Sequence, residues 1–499
     1  MTADTASPQL LERLRAIVGA ANLRHDTADR AVYSYDASVY RGLDALAVVY
    51  PEHTGQVADL VKLARAHGIP VIARGAGTGI NGGALPAKPA LVIALSRMNR
   101  VLEVDPDNRL VVVEPGVVNQ DLKAHLAALG YGFNYVPDPG SQVVSTIGGN
   151  VGNNAGGMHC LKYGVTSNHV LGVEVVLPDG EIVELGGPAL GRPGLDLTGL
   201  MVGSEGTLGI VTKVWVRILP LQETVVTQLA LFPTVEHAAN AVSGIMAAGI
   251  LPAALELLDK KTMDTVDRHV HVGFPKQAGA SLIIEMDGLA DGMELELRRV
   301  REVCQANEAI DLQTAQSEEE AGRLWLSRRA AYGSMARFSH TVYVMDVTVP
   351  RNLLAEAIRQ VVAICDALKL DVVTLAHAGD GNLHPLIPFD GNDPRSREAA
   401  LQAHHRIMEM CVAMGGSITG EHGVGVEKQN EIDLMYSGAD LEMMFAVKEA
   451  LDPGDLLNPR KVFPLRLFDA LAERQAASAP APSVATAGAP AGATVKGPR

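Results

Sequence analysis

Three glycine-rich stretches in the first half of the chain restrict its fold more than any other feature. They read Gly75-Ala-Gly77-Thr-Gly79-Ile-Asn-Gly82-Gly83, Gly148-Gly-Asn-Val-Gly-Asn-Asn-Ala-Gly-Gly157 and Gly203-Ser-Glu-Gly-Thr-Leu-Gly-Ile-Val211. Successive glycines let a backbone approach a phosphate closely and turn several N–H groups toward it. One such loop is usually a tight turn, whereas three in this order imply a cradle for a pyrophosphate. The first stretch contains a literal G-x-G-x-x-G, Gly77 to Gly82, after the strand-like Val71-Ile72 and with Glu103 downstream. A dinucleotide fold of that kind seats its pyrophosphate on a helix N-terminus. Here Pro86 and Pro89 follow at once, and interior prolines break helices. The loop is expected to lack a Rossmann helix.

The surrounding pattern is α+β. Ser7-Pro8 opens a helix with Leu10, Leu11, Leu14, Ile17 and Val18 at helical spacing. Ala47-Val48-Val49 reads as a strand, then Thr54 as the cap of a helix burying Val57, Leu60, Val61 and Ala64. Arg109–Glu114 is Val-rich, like a buried strand. Val173–Leu177 and Glu181–Leu185 flank the turn Pro178-Asp179-Gly180. From about Glu223, strand-like segments near Val226–Phe232, Ser281–Met286 and Thr341–Val349 alternate with helix-like ones near Val235–Ala248, Met293–Asn307 and Asn352–Leu368. That pattern implies a second α+β domain with an antiparallel sheet. A helix near Arg395–Met414 carries His404 and His405, which point about 100° apart and suit an exposed or half-buried structural role. The Ala/Pro/Ser/Gly-rich tail, 476–499, is expected to be disordered.

A net charge of −15 argues against binding nucleic acid or an anionic membrane. Cys160, Cys304, Cys365 and Cys411 form no Cys-x-x-Cys pair, so the chain is expected to hold no iron–sulfur cluster or zinc ribbon of its own. The N-terminus lacks a signal-peptide pattern and no apolar run reaches membrane-spanning length. The expectation is a cytoplasmic protein that meets a membrane only indirectly, through a partner.

The second half carries a different chemistry. His377-Ala-Gly-Asp-Gly-Asn-Leu-His384 places two histidines across a turn, after the strand-like Val372–Leu375, and Glu421-His422-Gly-Val-Gly425 adds a carboxylate and a third histidine. Imidazole and carboxylate together suit Zn²⁺, Mn²⁺ or Fe²⁺. A strand, turn and return would aim His377 and His384 at one point, with Glu421 joining from a loop and His422 available as a base. The plain alternative is a pair of hydrogen-bonding histidines in a glycine-rich turn.

Taken together, Arg74-Gly-Ala-Gly-Thr-Gly79, Pro137-Asp-Pro-Gly140, Gly148-Gly-Asn-Val-Gly-Asn-Asn154, Tyr163-Gly-Val165 and Gly203-Ser-Glu-Gly-Thr-Leu-Gly209 resemble the FAD domain of the vanillyl-alcohol-oxidase/PCMH flavoproteins. His377–His384 and Gly420–Gly425 resemble their branch that oxidises D-2-hydroxy acids, with glycolate oxidase FAD subunits nearest and FAD-linked D-lactate dehydrogenases next. The resemblance implies a two-subdomain PCMH-type FAD domain over 1–222, an α+β cap domain over 223–415, and a segment 416–470 that returns to the FAD domain. It implies FAD contacts from Arg74, Gly75, Ala76, Gly77, Thr78, Gly79, Pro137, Asp138, Gly140 and Ser141. Gly148, Gly149, Asn150, Gly152, Asn153, Asn154, Tyr163 and Gly164 continue that set, with Glu205, Gly206, Gly209, Ile210 and Asn458. The first loop has no histidine to tether the cofactor, so the FAD is expected to be non-covalent.

By the same resemblance His377, His384 and Glu421 hold a divalent metal and His422 is the general base. Hydride then passes from the substrate α-carbon to flavin N5, and the product is a 2-oxo acid. Trp325-Leu-Ser-Arg328 matches the segment with a substrate arginine, the alternative being Arg328 or Arg329 on an exposed helix face. Asn382 matches a substrate-binding position, or else is only a turn residue. Relatives that act on D-2-hydroxyglutarate carry a lysine where this chain has Val344, which favours a short, singly charged acid such as glycolate or D-lactate. Electrons are expected to pass to a separate iron–sulfur or other carrier protein. The rival readings are a D-2-hydroxyglutarate or other D-2-hydroxyacid dehydrogenase, a non-oxidative flavoenzyme of the alkyl-ether-lipid synthase kind, and a non-enzymatic scaffold subunit.

Overall fold

Four strands carry the first glycine loop. Leu23–Arg24, Ala47–Val49, Leu91–Ala94 and Val71–Arg74 lie side by side in that order, the last three parallel. The helix Thr54–Ala66 makes the crossover and buries Val57, Leu60, Val61 and Ala64. Its cap is His53, whose ring accepts from Gln56 N, so Thr54 is the first helical residue rather than the expected cap. His53 keeps extended φ and ψ while Thr54 has already turned. The structure is a computed structural model that describes residues 6–189, 191, 193–337, 339 and 341–478.

A second, antiparallel sheet orders Val101–Asp105, Leu110–Val113, Ile210–Arg217, Val170–Val176 and Ile182–Gly186. All four residues of Leu110–Val113 are buried, as its valine run demands. Ile210–Arg217 alternates buried and half-buried positions, the signature of a strand with one covered face. Leu122, Leu126, Ile147 and Val151 from the helices Asn119–Leu129 and Ile147–Asn153 pack on it.

The second half builds one large antiparallel sheet. Its order is Asp311–Thr314, Thr224–Phe232, Ala280–Gly288, Ala254–Asp259, Val373–His377, Asn382–Phe389 and Thr341–Val344, with Val347–Thr348 also paired to Asn382–Phe389. The expected strand over Thr341–Val349 is thus broken at Met345-Asp346. Helices Val235–Ala247, Ala290–Ala306, Leu354–Ala367 and Pro394–Ala413 bury their apolar faces in this domain's main core. The helices Lys260–Val270 and Glu318–Arg329 join separate apolar clusters, in one of which Trp325 packs with Leu231, Ile283 and the first half's Met158.

His404 departs from expectation. It is buried under Tyr343, with ring centroids 4.7 Å apart, and burial lowers its pKa to about 3. Only His405 is exposed, and it pairs with Glu431 and Glu409. The long helix thus presents one histidine to the core and the other to solvent.

After the helix Gly438–Leu451 the chain returns to the first sheet, where Leu457 forms a parallel bridge with Val71. Lys448 fixes this return from within the core. Its ammonium donates to Asp452 at 2.5 Å and to the carbonyls of Thr207 and Leu457. Lys448→Met should destabilise the protein by about 3–5 kcal/mol, because Asp452 would stay buried without its cation. A fall in melting temperature is the check, and an unchanged melt would refute it. The expected disordered tail begins inside the helix Leu465–Ser478, and residues 479–499 lie outside the described residues. No helix among the described residues is long and apolar enough to cross a membrane.

Candidate active site

A cavity of about 700 Å³ is walled by the glycine loops and by the histidine cluster together. Arg74, Gly75, Ala76, Gly77, Thr78 and Gly79 line it from the first loop. Gly140, Ser141, Gly148, Gly149, Asn150, Gly152 and Asn153 follow from the second region, and Glu205, Gly206 and Gly209 from the third. No helix follows the first loop, in keeping with the two prolines. Gly77 has φ +71°, and a Cβ there would lie 2.2 Å from the Arg74 guanidinium, so only glycine fits. Arg74 itself donates to Tyr35 O at 2.7 Å and lies over the Tyr33 ring.

Other expected nucleotide residues stand behind the wall. Pro137 accepts from Asn119 through its carbonyl, and Asp138 binds the His159 ring at 2.7 Å. Asn154 ends a short helix in left-handed conformation, and Gly164, with φ +78°, ends the next. Tyr163 donates to Asp287, while Ile210 is core. Asn458 donates to the carbonyls of Gly83 and Glu205 and so splints the first loop to the third.

Strand geometry brings the histidines together. His377 pairs with Asn382, and His384 with Leu375, across the hairpin. Side chains two residues apart share a face, so Leu375, His377, His384 and Leu386 all point into the cavity. The hairpin turn needs Gly381: its φ is +82° and a Cβ would sit 2.1 Å from Val349 O. Asn382 lies on the same face but packs against Gly420 instead of lining the cavity, and its Oδ1 is buried without a hydrogen-bond partner.

Glu421 closes the group. Its Oε1 lies 3.3 Å from His377 Nε2 and 3.4 Å from His384 Nε2, and the three ligand atoms fall within 4.8 Å of one another. Nδ1 of His377 faces Glu256 at 2.5 Å, and Nδ1 of His384 faces the Met345 carbonyl at 3.1 Å. A carboxylate and a carbonyl accept hydrogen bonds, so both rings carry a proton on Nδ1, and Nε2 is the nitrogen each turns to the common point. That is the arrangement metal-ligating histidines use. The donor set therefore fits a divalent ion. Burial opposes charge on His377, but Glu256 and Glu421 outweigh it and hold its pKa well above the ordinary value. Burial likewise opposes the Glu421 carboxylate, yet His377 and His384 keep it well below the usual range.

His422 stacks on His384 with centroids 5.2 Å apart, and its Nε2 lies 3.9 Å from Glu421. Burial lowers its pKa to about 4, Asp346 opposing, so the ring is neutral near pH 7. Asp346 is buried and accepts the backbone N–H groups of Gly420, Glu421 and His422, the Thr419 hydroxyl and the Lys428 ammonium. Burial works against its charge, but His422 and Lys428 hold its carboxyl well below the ordinary range.

The first half also grips this loop. Glu205 accepts the N–H groups of Val424 and Gly425, Asn81 donates to Glu205, and Asn153 donates to the His422 carbonyl. Arg328 and Arg329 both reach the cavity wall, with Arg328 ion-paired to Glu256 at 2.5 Å. Val344 lines the cavity and packs against the apolar cluster that holds Leu375 and Leu386. Sequence reasoning missed Glu256, Asn81 and the anchoring role of Asp346. Glu256 sits in an apolar strand, Ala254–Asp259, whose interrupted hydrophobicity was the one available signal.

Residues 45–186 match the family model described as "FAD binding domain", and residues 221–462 match "FAD linked oxidases, C-terminal domain". The chain is 40% identical to the glycolate oxidase subunit GlcD of Bacillus subtilis, over 91% of this chain and 96% of that one. It is 32% identical to a D-lactate dehydrogenase of Archaeoglobus fulgidus, over 85% and 92%. Among solved structures, the 4-ethylphenol oxidase of Gulosibacter chungangensis superimposes with a TM-score of 0.77 at 18% identity, covering 94% of this chain and 100% of that one. The fold is thus the α+β, PCMH-type FAD fold. With both family models matched and relatives aligned over nearly their whole length, the chain belongs to the FAD-linked oxidase family of GlcD-type and D-lactate dehydrogenase flavoproteins.

Proposed function

We propose that this chain oxidises a short 2-hydroxy acid, glycolate or D-lactate, to the 2-oxo acid. The observation that carries this reading is one cavity shared by the glycine loops and the His377/His384/Glu421 cluster, with His422 beside it. Bound FAD supplies a hydride acceptor, and a divalent ion held by the cluster supplies Lewis-acid polarisation of the substrate hydroxyl. The protein's own groups do the rest. His422, unprotonated near pH 7, takes the hydroxyl proton. Arg328, with its Nε held by Glu256, turns the rest of its guanidinium to the substrate carboxylate. Asn382 supports the loop at Gly420 and keeps an unpartnered Oδ1 for a donor on the bound acid. Electrons then pass to a carrier protein, iron–sulfur or other, in line with the word subunit in the GlcD name.

Anaerobic bleaching of the flavin by glycolate, D-lactate, L-lactate and D-2-hydroxyglutarate tests this. Rapid bleaching by glycolate or D-lactate alone is the expected result. A yellow protein bleached by none of them would overturn the oxidative reading.

The apolar wall sets the substrate length. Val344 offers no partner to a second carboxylate. Val344→Lys should raise kcat/KM for D-2-hydroxyglutarate about 10-fold or more, since a hydrogen bond to a charged group is worth about 1.5–3 kcal/mol. Steady-state rates on the four acids check it, and an unchanged preference would place the distal end of the substrate elsewhere.

A further inference from the structure

Two functional side chains on different elements share one buried carboxylate. Glu256 is fully buried in the strand Ala254–Asp259, directly across the ladder from His377. Its Oε1 meets His377 Nδ1 at 2.5 Å and its Oε2 meets Arg328 Nε at 2.5 Å. Arg328 arrives from the helix Glu318–Arg329, on a side chain only 13% exposed. We propose that Glu256 is a positioning residue that couples the ion site to the grip on the substrate carboxylate. The inference rests on the function proposed above and adds a linkage between its two binding elements.

The chemistry requires both contacts at once. The Nδ1–H bond to Glu256 fixes the His377 tautomer that leaves Nε2 for an ion, and carboxylate partners of this kind raise ligand basicity. The Nε–H bond fixes the guanidinium plane, leaving its outer N–H groups free for a bidentate hold on a carboxylate. Each oxygen of Glu256 accepts from one partner, so no neutral isostere satisfies both. A glutamine presents its NH₂ to either the His377 or the Arg328 N–H, and two donors then face each other.

Glu256→Gln is therefore expected to weaken the ion about 10- to 100-fold and to raise KM for the hydroxy acid more than it lowers kcat. Ion affinity is read by titrating the FAD-loaded, ion-stripped protein with Zn²⁺ or Mn²⁺ against a competing chelator, independently of turnover. His377→Ala is measured alongside. Loss of ion affinity in both variants with a KM rise in Glu256→Gln supports the coupling. Wild-type ion affinity and KM in Glu256→Gln, with the ion lost in His377→Ala, overturns the coupling and leaves the function standing. Full ion binding in His377→Ala overturns the ion site, and the coupling with it. FAD content and melting temperature report folding. Glu256→Asp keeps the charge but is one methylene too short to reach both partners, so it should lose one effect and retain the other; if it loses neither, the coupling fails.

Discussion

Replacing His422 with alanine is expected to slow flavin reduction by a 2-hydroxy acid by about 10²- to 10⁴-fold, the usual contribution of a general base. The variant should keep its FAD. The loop around position 422 is held by main-chain groups: the His422 N–H donates to Asp346 and its carbonyl accepts from Asn153. Alanine preserves both. His422 is no part of the His377, His384 and Glu421 set, so ion held there should stay, whereas ion lost with His422 would point to the neighbouring Asp346, His384 and His422 group. Anaerobic stopped-flow reduction, with flavin and ion analysis on the same sample, separates the outcomes. A reduction rate within a few-fold of wild type would remove His422 from the mechanism. Slow reduction with lost flavin would show a structural role instead.

His384→Ala should cost a comparable amount. It removes one of the three donors and leaves only His377 and Glu421 of the set. Lewis-acid stabilisation is worth several kcal/mol, so about a thousandfold slower reduction is expected at 1.36 kcal/mol per decade. In this variant the ion itself should be gone while FAD remains, since His384 contributes to the far wall of the cavity and not to the glycine loops. Chelation of the wild-type protein should reproduce the loss, and restoring Zn²⁺, Mn²⁺ or Fe²⁺ in turn should reverse it with the right metal. Stoichiometric ion in the purified His384→Ala protein would refute the assignment of this ligand.

Much of this arrangement was legible in the sequence because the relevant signals are local. Glycine runs announce backbone that approaches a ligand, and Pro86 and Pro89 ruled out the helix that a literal fingerprint match would have suggested. The spacing of His377 and His384 around Asp380-Gly381 read as a hairpin, and the pleat did the aiming. What stayed hidden depends on long-range register and burial. Glu256 meets His377 only because two strands over a hundred residues apart in sequence are neighbours in the sheet. Asp346 collects donors from a loop that no periodicity places near it. His404 and His405 were correctly expected to diverge, but which of the two faces the core is decided by Tyr343 and the strand it sits on. The cap at His53 was missed because histidine is not among the residues that usually begin a helix.

The way the loop of residues 420–427 is fastened limits how such a protein can be re-engineered. Its N–H groups end on Glu205, on Asp346 and on the Asn81 carbonyl, which come from both halves of the chain. A chimaera that joined this second half to the FAD half of a distant relative would carry the loop away from its acceptors on Asn81 and Glu205. Each buried N–H left without a partner would cost about 1–3 kcal/mol. Substrate preference should therefore transfer by changing single wall positions such as Val344, whereas whole-domain exchange should fail unless Asn81, Asn153 and Glu205 travel with the graft.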